Sequence, residues 1–239
     1  MIYKFSPNNF NYASCNRCFY IKYRWSNEIK GGFPEIFSAL DISQKSYFID
    51  KKTTEITEKL PEGNFLKTIT KVERNKRIKN SVNEFNDNEV PARIFSKELK
   101  DNKNRSFELS GTPDLVVKFK DSYGILDFKT TSTKDKTLNY RYQLESYCLI
   151  FENPKDGPVL TPFSHLGLIQ FTPDEITEND HSHLTQKMKI NYYSLERNPN
   201  SLINFITEKI DFLEQPKLPK KDDRCTICNG VDKYLGSFV

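Results

Sequence analysis

Asp127 and Lys129 lie two positions apart in Ile125-Leu126-Asp127-Phe128-Lys129, and Asp114 precedes them across the turn-like Asp121-Ser122-Tyr123-Gly124. Leu115, Val117 and Phe119 alternate with more polar neighbours, the pattern of a β-hairpin. Side chains alternate faces along a strand, so Asp127 and Lys129 share a cleft-facing side while Leu126 and Phe128 face a core. A two-residue loop at Asp121 and Ser122 pairs Lys120 with Tyr123 and sets Asp114 opposite Lys129, diagonal to Asp127. Diagonal Cα atoms stand roughly 7–8 Å apart, close enough for two carboxylates to share one ion. A four-residue loop keeps the same face but is expected to slide Asp114 further from Asp127, and an odd loop turns it away.

The chemistry of such a group is electrostatic. Two carboxylates offer hard oxygen ligands to Mg²⁺ or Mn²⁺, and an ion held there acidifies a bound water and screens charge on a phosphate. A lysine beside it positions the attacking water and stabilises the charged transition state. An isolated Asp-x-Lys is more often an exposed ion pair worth about 0–1 kcal/mol, so its surroundings decide the reading. A second chemistry-bearing set is Cys15-x-x-Cys18 with Cys225-x-x-Cys228. Each pair can bring two thiolates to one metal, and four sulfurs suit Zn²⁺ or an iron–sulfur cluster. Cys148, in the apolar stretch from Tyr147 to Phe151, reads as a small buried side chain.

The elements that must position these residues follow from periodicity and breakers. Asn8 to Tyr23 lacks Gly and Pro and carries Phe10, Cys18, Ile21 and, just beyond, Trp25 at helical spacing, which predicts one helix. A second is predicted from about Pro34 to Ile49, with Pro34 in the first turn and Asp41 and Lys45 on one face. Residues 51–105 are polar and weakly periodic and read as inserted strands and loops. Leu138 to Phe151 predicts a helix stopped by Asn153-Pro154, His165 to Phe171 and Met188 to Ser194 predict strands, and Asn200 to Leu213 predicts a last helix before a cysteine-bearing tail at about 214–239.

Gly111-Thr112-Pro113-Asp114, Asp127-Phe128-Lys129 and Gln143-Leu144-Glu145-Ser146-Tyr147, in that order, resemble the GxxD, (D/E)xK and QxxxY series of RecB-like nucleases in the PD-(D/E)XK superfamily. The resemblance is close over residues 111–147 and looser over Cys15 to Tyr20. It implies an α/β (α+β) restriction-endonuclease-like core, a central mixed β-sheet flanked by helices, in a single domain over 1–239. It further implies that Asp114, Asp127 and the Phe128 carbonyl hold the metal, that Lys129 is the catalytic lysine, and that Gln143 and Tyr147 contact DNA. The family's upstream metal-binding His has no counterpart here, since His165, His181 and His183 all lie downstream, and Asp41 is the substitute best placed. Some RecB-like exonucleases, CRISPR-associated ones and AddB-type subunits among them, clamp a 4Fe–4S cluster with terminal cysteines, usually one before the core and three after. This chain divides them two and two. The expected function is a metal-dependent DNA nuclease, exonuclease-like, acting in DNA repair, recombination, replication or defence. The alternatives are a non-catalytic nucleic-acid-binding module and a structural partner of a helicase.

Composition bounds these readings. A chain of 239 residues with 36% hydrophobic and 13% aromatic content can bury a sizeable core. No apolar run approaches the roughly 18 residues of a membrane span, and the start Met1-Ile2-Tyr3-Lys4-Phe5-Ser6 has no signal-peptide core, so a cytoplasmic protein with no membrane partner is expected. A net charge of +4 decides little about a polyanionic partner. Basic residues crowd locally at Lys71, Arg74, Lys76, Arg77 and Lys79, and again at Lys217, Lys220, Lys221 and Arg224. No phosphate-binding loop signature is present, so a helicase motor would be another chain.

Overall fold

The predicted hairpin forms the middle of a mixed sheet. The computed structural model describes residues 1–12, 15–24, 35–48, 50–80, 84–131, 137–180 and 182–230; Trp25, Pro34, Ile49 and the tail beyond residue 230 lie outside them. The strands are β1 (Ile2–Phe5), β2 (Asn64–Phe65), β3 (Lys67–Ile69), β4 (Glu89–Pro91), β5 (Ile94–Phe95), β6 (Leu99–Lys100), β7 (Ser106–Gly111), β8 (Leu115–Lys118), β9 (Tyr123–Thr130), β10 (Phe163–Asp180) and β11 (His183–Leu195). The helices are α1 (Asn16–Arg24), α2 (Glu35–Phe48), α3 (Lys71–Lys79), α4 (Thr137–Glu152) and α5 (Pro199–Glu214).

The main sheet runs β11-β10-β9-β8-β2, and β1, β5 and β6 assemble around β7. β9 and β10 pair in parallel, whereas β8–β9 and β10–β11 are antiparallel, so the sheet is mixed as expected. Alternation divides it between two cores. Val116, Ile125, Leu166 and Leu168 pack with Leu144, Tyr147 and Phe151 of α4 and Leu202, Ile206 and Ile210 of α5. Leu115, Val117, Leu126, Phe128, Ile169 and Phe171 pack on the other face with Phe48 of α2 and Leu60. Helices thus cover both faces, and burial of a side chain of this size stabilises by about 1.5–3 kcal/mol.

Three expectations change. The predicted first helix divides into a 3-10 segment at Pro7–Tyr12 and the helix α1, so that Cys15 sits just ahead of α1 and its carbonyl accepts the Phe19 N–H at 3.0 Å. The polar segment 51–105 contains a helix, α3, whose Thr70 side chain caps the Glu73 N–H while Glu73 reaches back to Thr70. That segment is more than an insertion, because it also supplies Leu60, Phe65, Leu66, Ile69, Val90 and Ile94 to the cores. The hairpin loop, finally, spans the four residues Phe119–Ser122, with pairs Lys118↔Tyr123 through Leu115↔Leu126.

That longer loop corrects the expected separation of the carboxylates. Continuing the register one step past Leu115↔Leu126 sets Asp114 level with Asp127, because lengthening the loop by two exchanges the partner of Asp114 from Lys129 to Asp127. The face is preserved and the carboxylates come closer. Phe119 anchors the loop, donating its N–H to the Ser122 carbonyl at 2.8 Å. Its ring packs over Gly124, where an added Cβ would stand 2.9 Å from Cε2.

Candidate active site

β8 begins one residue after Asp114, so β9 runs on beyond its partner and leaves a notch beside Asp127. In that notch the Phe128 N–H, lacking a strand partner from β8, donates to Asp114 Oδ2 at 2.9 Å. The N–H and C=O of one antiparallel residue point to the same side, so the Phe128 carbonyl looks into the same notch. The Phe128 ring turns away and packs against Phe48 and Phe171.

Asp127 is buried at 2% exposure. Its Oδ2 faces the Lys129 ammonium as an ion pair but makes no hydrogen bond of normal geometry, while Oδ1 accepts from Gln143 Nε2 at 3.3 Å. Burial, reinforced by the negative charge of Asp114, pushes the Asp127 carboxyl up to about 7, against the pull of Lys129. Burial acts on Lys129 in the opposite sense, but Asp127 outweighs it and holds the ammonium above its ordinary pKa. The ammonium also lies 4.7 Å from the centre of the Tyr140 ring, a cation–π contact that orients it.

α4 supplies the upper wall. Gln143 and Tyr147, one helical turn apart, share a face as predicted, and that face is buried. Tyr147 has no exposed surface and Gln143 is 3% exposed. Gln143 Nε2 donates to Asn8 Oδ1 at 3.0 Å, and the Tyr147 hydroxyl donates to Asn8 Oδ1 and to the Thr112 carbonyl at 3.2 Å. These residues hold Asp127 and the segment before Asp114 in place. Asn8 escaped the sequence reading because nothing local marks it; its role depends on a contact 135 residues away.

α2 reaches the notch from the other face of the sheet. Lys45 Nζ lies 2.8 Å from Asp114 Oδ1 and 2.8 Å from Asp41 Oδ2, so the helical pair expected from the sequence bridges to the first carboxylate. Gln44 Nε2 ties the helix to Thr130 Oγ1 at 3.2 Å. Asp114, Asp127, Lys129, the Phe128 backbone and Asp41 are therefore brought to one end of β9. Lys45 was legible only as the i+4 partner of Asp41.

The four cysteines also converge. Their Sγ atoms all lie within 4.8 Å of one another, and each is a free thiol. The first pair is placed by α1 and the second by the turn after Asp222, whose carbonyl accepts the Cys225 N–H at 2.9 Å. The two ends of the described chain meet here. Lys209 of α5 donates to Asn16 Oδ1 at 2.7 Å, and the Tyr20 hydroxyl donates to the Gln215 carbonyl at 3.1 Å.

A family model for the PD-(D/E)XK nuclease superfamily matches residues 41–230. The chain belongs to the PD-(D/E)XK nuclease superfamily. The match contains Asp114, Asp127 and Lys129 together with Asp41, Gln143 and Tyr147, and it begins beyond Asn8 and the first cysteine pair. No curated protein matches. The crystal structure of SSO0001 aligns over 90% of this chain and 79% of its own at 13% identity, with a TM-score of 0.39, a likeness too loose to support a functional argument. Among the described residues no helix is long and apolar enough to cross a membrane.

Proposed function

We propose that this PD-(D/E)XK protein is a Mg²⁺- or Mn²⁺-dependent deoxyribonuclease, exonuclease-like, hydrolysing phosphodiester bonds in DNA repair, recombination, replication or defence. The observation that carries this reading is the meeting of Asp114, Asp127 and Lys129 in the notch where β8 stops short of β9. The donor set fits a hard divalent ion: the carboxylates of Asp114 and Asp127 and the Phe128 carbonyl are all oxygen ligands, and the buried Asp127 Oδ2 makes no normal hydrogen bond. Asp41 is proposed as a further ligand, since Lys45 already links it to Asp114. An ion bound there acidifies water and screens phosphate charge.

The protein's own groups have separable tasks. Gln143 fixes Asp127 Oδ1 and the Phe128 N–H fixes Asp114 Oδ2, while the other oxygen of each carboxylate faces an ammonium, that of Lys129 on Asp127 Oδ2 and that of Lys45 on Asp114 Oδ1. Lys129, kept protonated by Asp127, directs an N–H at the non-bridging oxygens or the attacking water as negative charge builds. The α4 wall excludes solvent behind it, which strengthens these interactions.

The test is hydrolysis of end-labelled single- and double-stranded DNA in Mg²⁺ or Mn²⁺. Cleavage is expected, abolished by EDTA and lowered by about 10²-fold or more in Lys129→Ala, the scale of losing one electrostatic stabiliser. DNA that stays intact with the unaltered protein, in either metal, refutes the enzyme reading. Salt-dependent binding without cleavage would instead identify a binding module, and co-purification with a helicase without either would identify a structural partner.

A further inference from the structure

The spacing of the cysteine sulfurs separates two kinds of metal centre. Cys15 Sγ lies 3.6 Å from Cys228 Sγ, and Cys18 Sγ lies 3.6 Å from Cys225 Sγ and 3.3 Å from Cys228 Sγ. A single tetrahedral ion with metal–sulfur bonds of about 2.3 Å sets its ligands at the corners of a tetrahedron whose edges are about 3.8 Å. A 4Fe–4S cube places each cysteine sulfur outward of its own iron, so neighbouring sulfurs stand roughly 6 Å apart. The four sulfurs here fit inside 4.8 Å. The three separations above match the first geometry to within about half an ångström, and the 4.8 Å bound on the rest stays below the spacing of the second.

The loop geometry agrees. The Cys228 N–H points at Cys225 Sγ at 3.5 Å, a bond that supports negative charge on that sulfur. Cys15 and Cys228 are buried while Cys18 and Cys225 are partly exposed, a closed site with all four positions supplied by the protein, as in structural rather than catalytic zinc centres. The distances are also far beyond the roughly 2.05 Å of a disulfide bond, and the thiols are free. The two-and-two division between the ends completes the pattern, since each Cys-x-x-Cys supplies one edge of the tetrahedron.

We infer that Cys15, Cys18, Cys225 and Cys228 bind one structural Zn²⁺, and that the 4Fe–4S cluster expected by resemblance does not fit this chain. The inference is independent of the nuclease reading and stands or falls without any activity measurement. The ion neutralises thiolates that would otherwise repel and ties α1 to the segment following α5.

The decisive measurement is the metal and acid-labile sulfide content of protein purified anaerobically from cells supplied with both iron and zinc. One zinc per chain, with no sulfide and no visible absorption, is expected. Four irons with four sulfides per chain, or a single iron, would overturn the assignment. Separate samples of protein isolated without metal are titrated with Zn²⁺ and with Co²⁺: one equivalent of Zn²⁺ should protect four thiols from a thiol reagent, and Co²⁺ should give the intense visible bands of tetrahedral sulfur ligation. Failure of both to bind stoichiometrically would equally overturn it. Cys225→Ala should lose the bound zinc, and an unchanged zinc content in that variant would place the ion elsewhere.

Discussion

At the scale of single residues, Asp127 carries the sharpest consequence. Its folded carboxyl titrates at about 7, whereas an unfolded one titrates near about 3.9. The folded state therefore binds a proton that the unfolded state has released, and the metal-free protein loses stability as pH rises from about 4 to about 7, with no further loss above that. A metal needs the deprotonated carboxylate. The rise in melting temperature produced by Mg²⁺ should accordingly be larger at about pH 8 than at about pH 5.5. Equal increments at both, read by thermal denaturation with and without chelator, would count against Asp127 as a ligand. Tyr147→Phe separates positioning from DNA contact. It removes the hydroxyl that reaches Asn8 and Thr112 and should lower stability by about 1–3 kcal/mol. It should also slow cleavage, while DNA affinity measured in Ca²⁺ stays the same. A drop in affinity would mean that Tyr147 reaches DNA after all. Asp114, Asp127 and Lys129 were legible because their types and parity are local facts. Asn8 was not, because its partners come from the far side of the fold.

At the scale of elements, the legible ones had an apolar stripe. α4 and α5 appear close to their predicted spans because each buries one face, whereas α2 keeps its span with only Gln44 and Phe48 buried and with Ile36, Phe37, Ile42 and Tyr47 exposed. α3 has no buried residue and so no stripe; its signal was the capping box of Thr70 and Glu73, worth about 1 kcal/mol. The β10–β11 hairpin outruns its two short predicted strands for a related reason. Beyond Phe171 it no longer pairs with β9, so neither face need alternate, and ion pairs such as Lys187–Glu175 and Lys189–Asp174 lie across it instead. The contact of β7 with α4 explains the glycine ahead of Asp114. A Cβ at Gly111 would stand 2.7 Å from Tyr147 Cε1 and 3.3 Å from Pro7 Cδ, and Tyr147 is pinned at its hydroxyl. Gly111→Ala should therefore lower stability by about 1–3 kcal/mol and slow cleavage by disturbing Gln143 and Asp127. A melting curve and rate indistinguishable from the unaltered protein would show that the strand and helix can simply part.

At the scale of the whole molecule, the sheet separates two cores, and the notch lies at one end of β9, where helices from both faces reach it. The lower helix brings Asp41 and Lys45, and the upper one brings Tyr140, Gln143 and Tyr147. The alternation of β9 predicted one core face and one cleft face; the second core, which takes Ile125 on the Asp127 side, was not legible in it. The curl of β1 onto β7 in parallel was not legible either, since a short strand ahead of a helix has no signal for its partner. The cysteine pairs bring together residues 213 positions apart. Contacts between such distant residues are late arrivals in folding. During synthesis the chain emerges from its amino end, so Cys15 and Cys18 leave the ribosome long before Cys225 and Cys228 have been made. The first pair must spend that whole interval as free thiols, and the window in which an oxidant or a stray metal can capture the protein in the wrong form is set by the rate of translation.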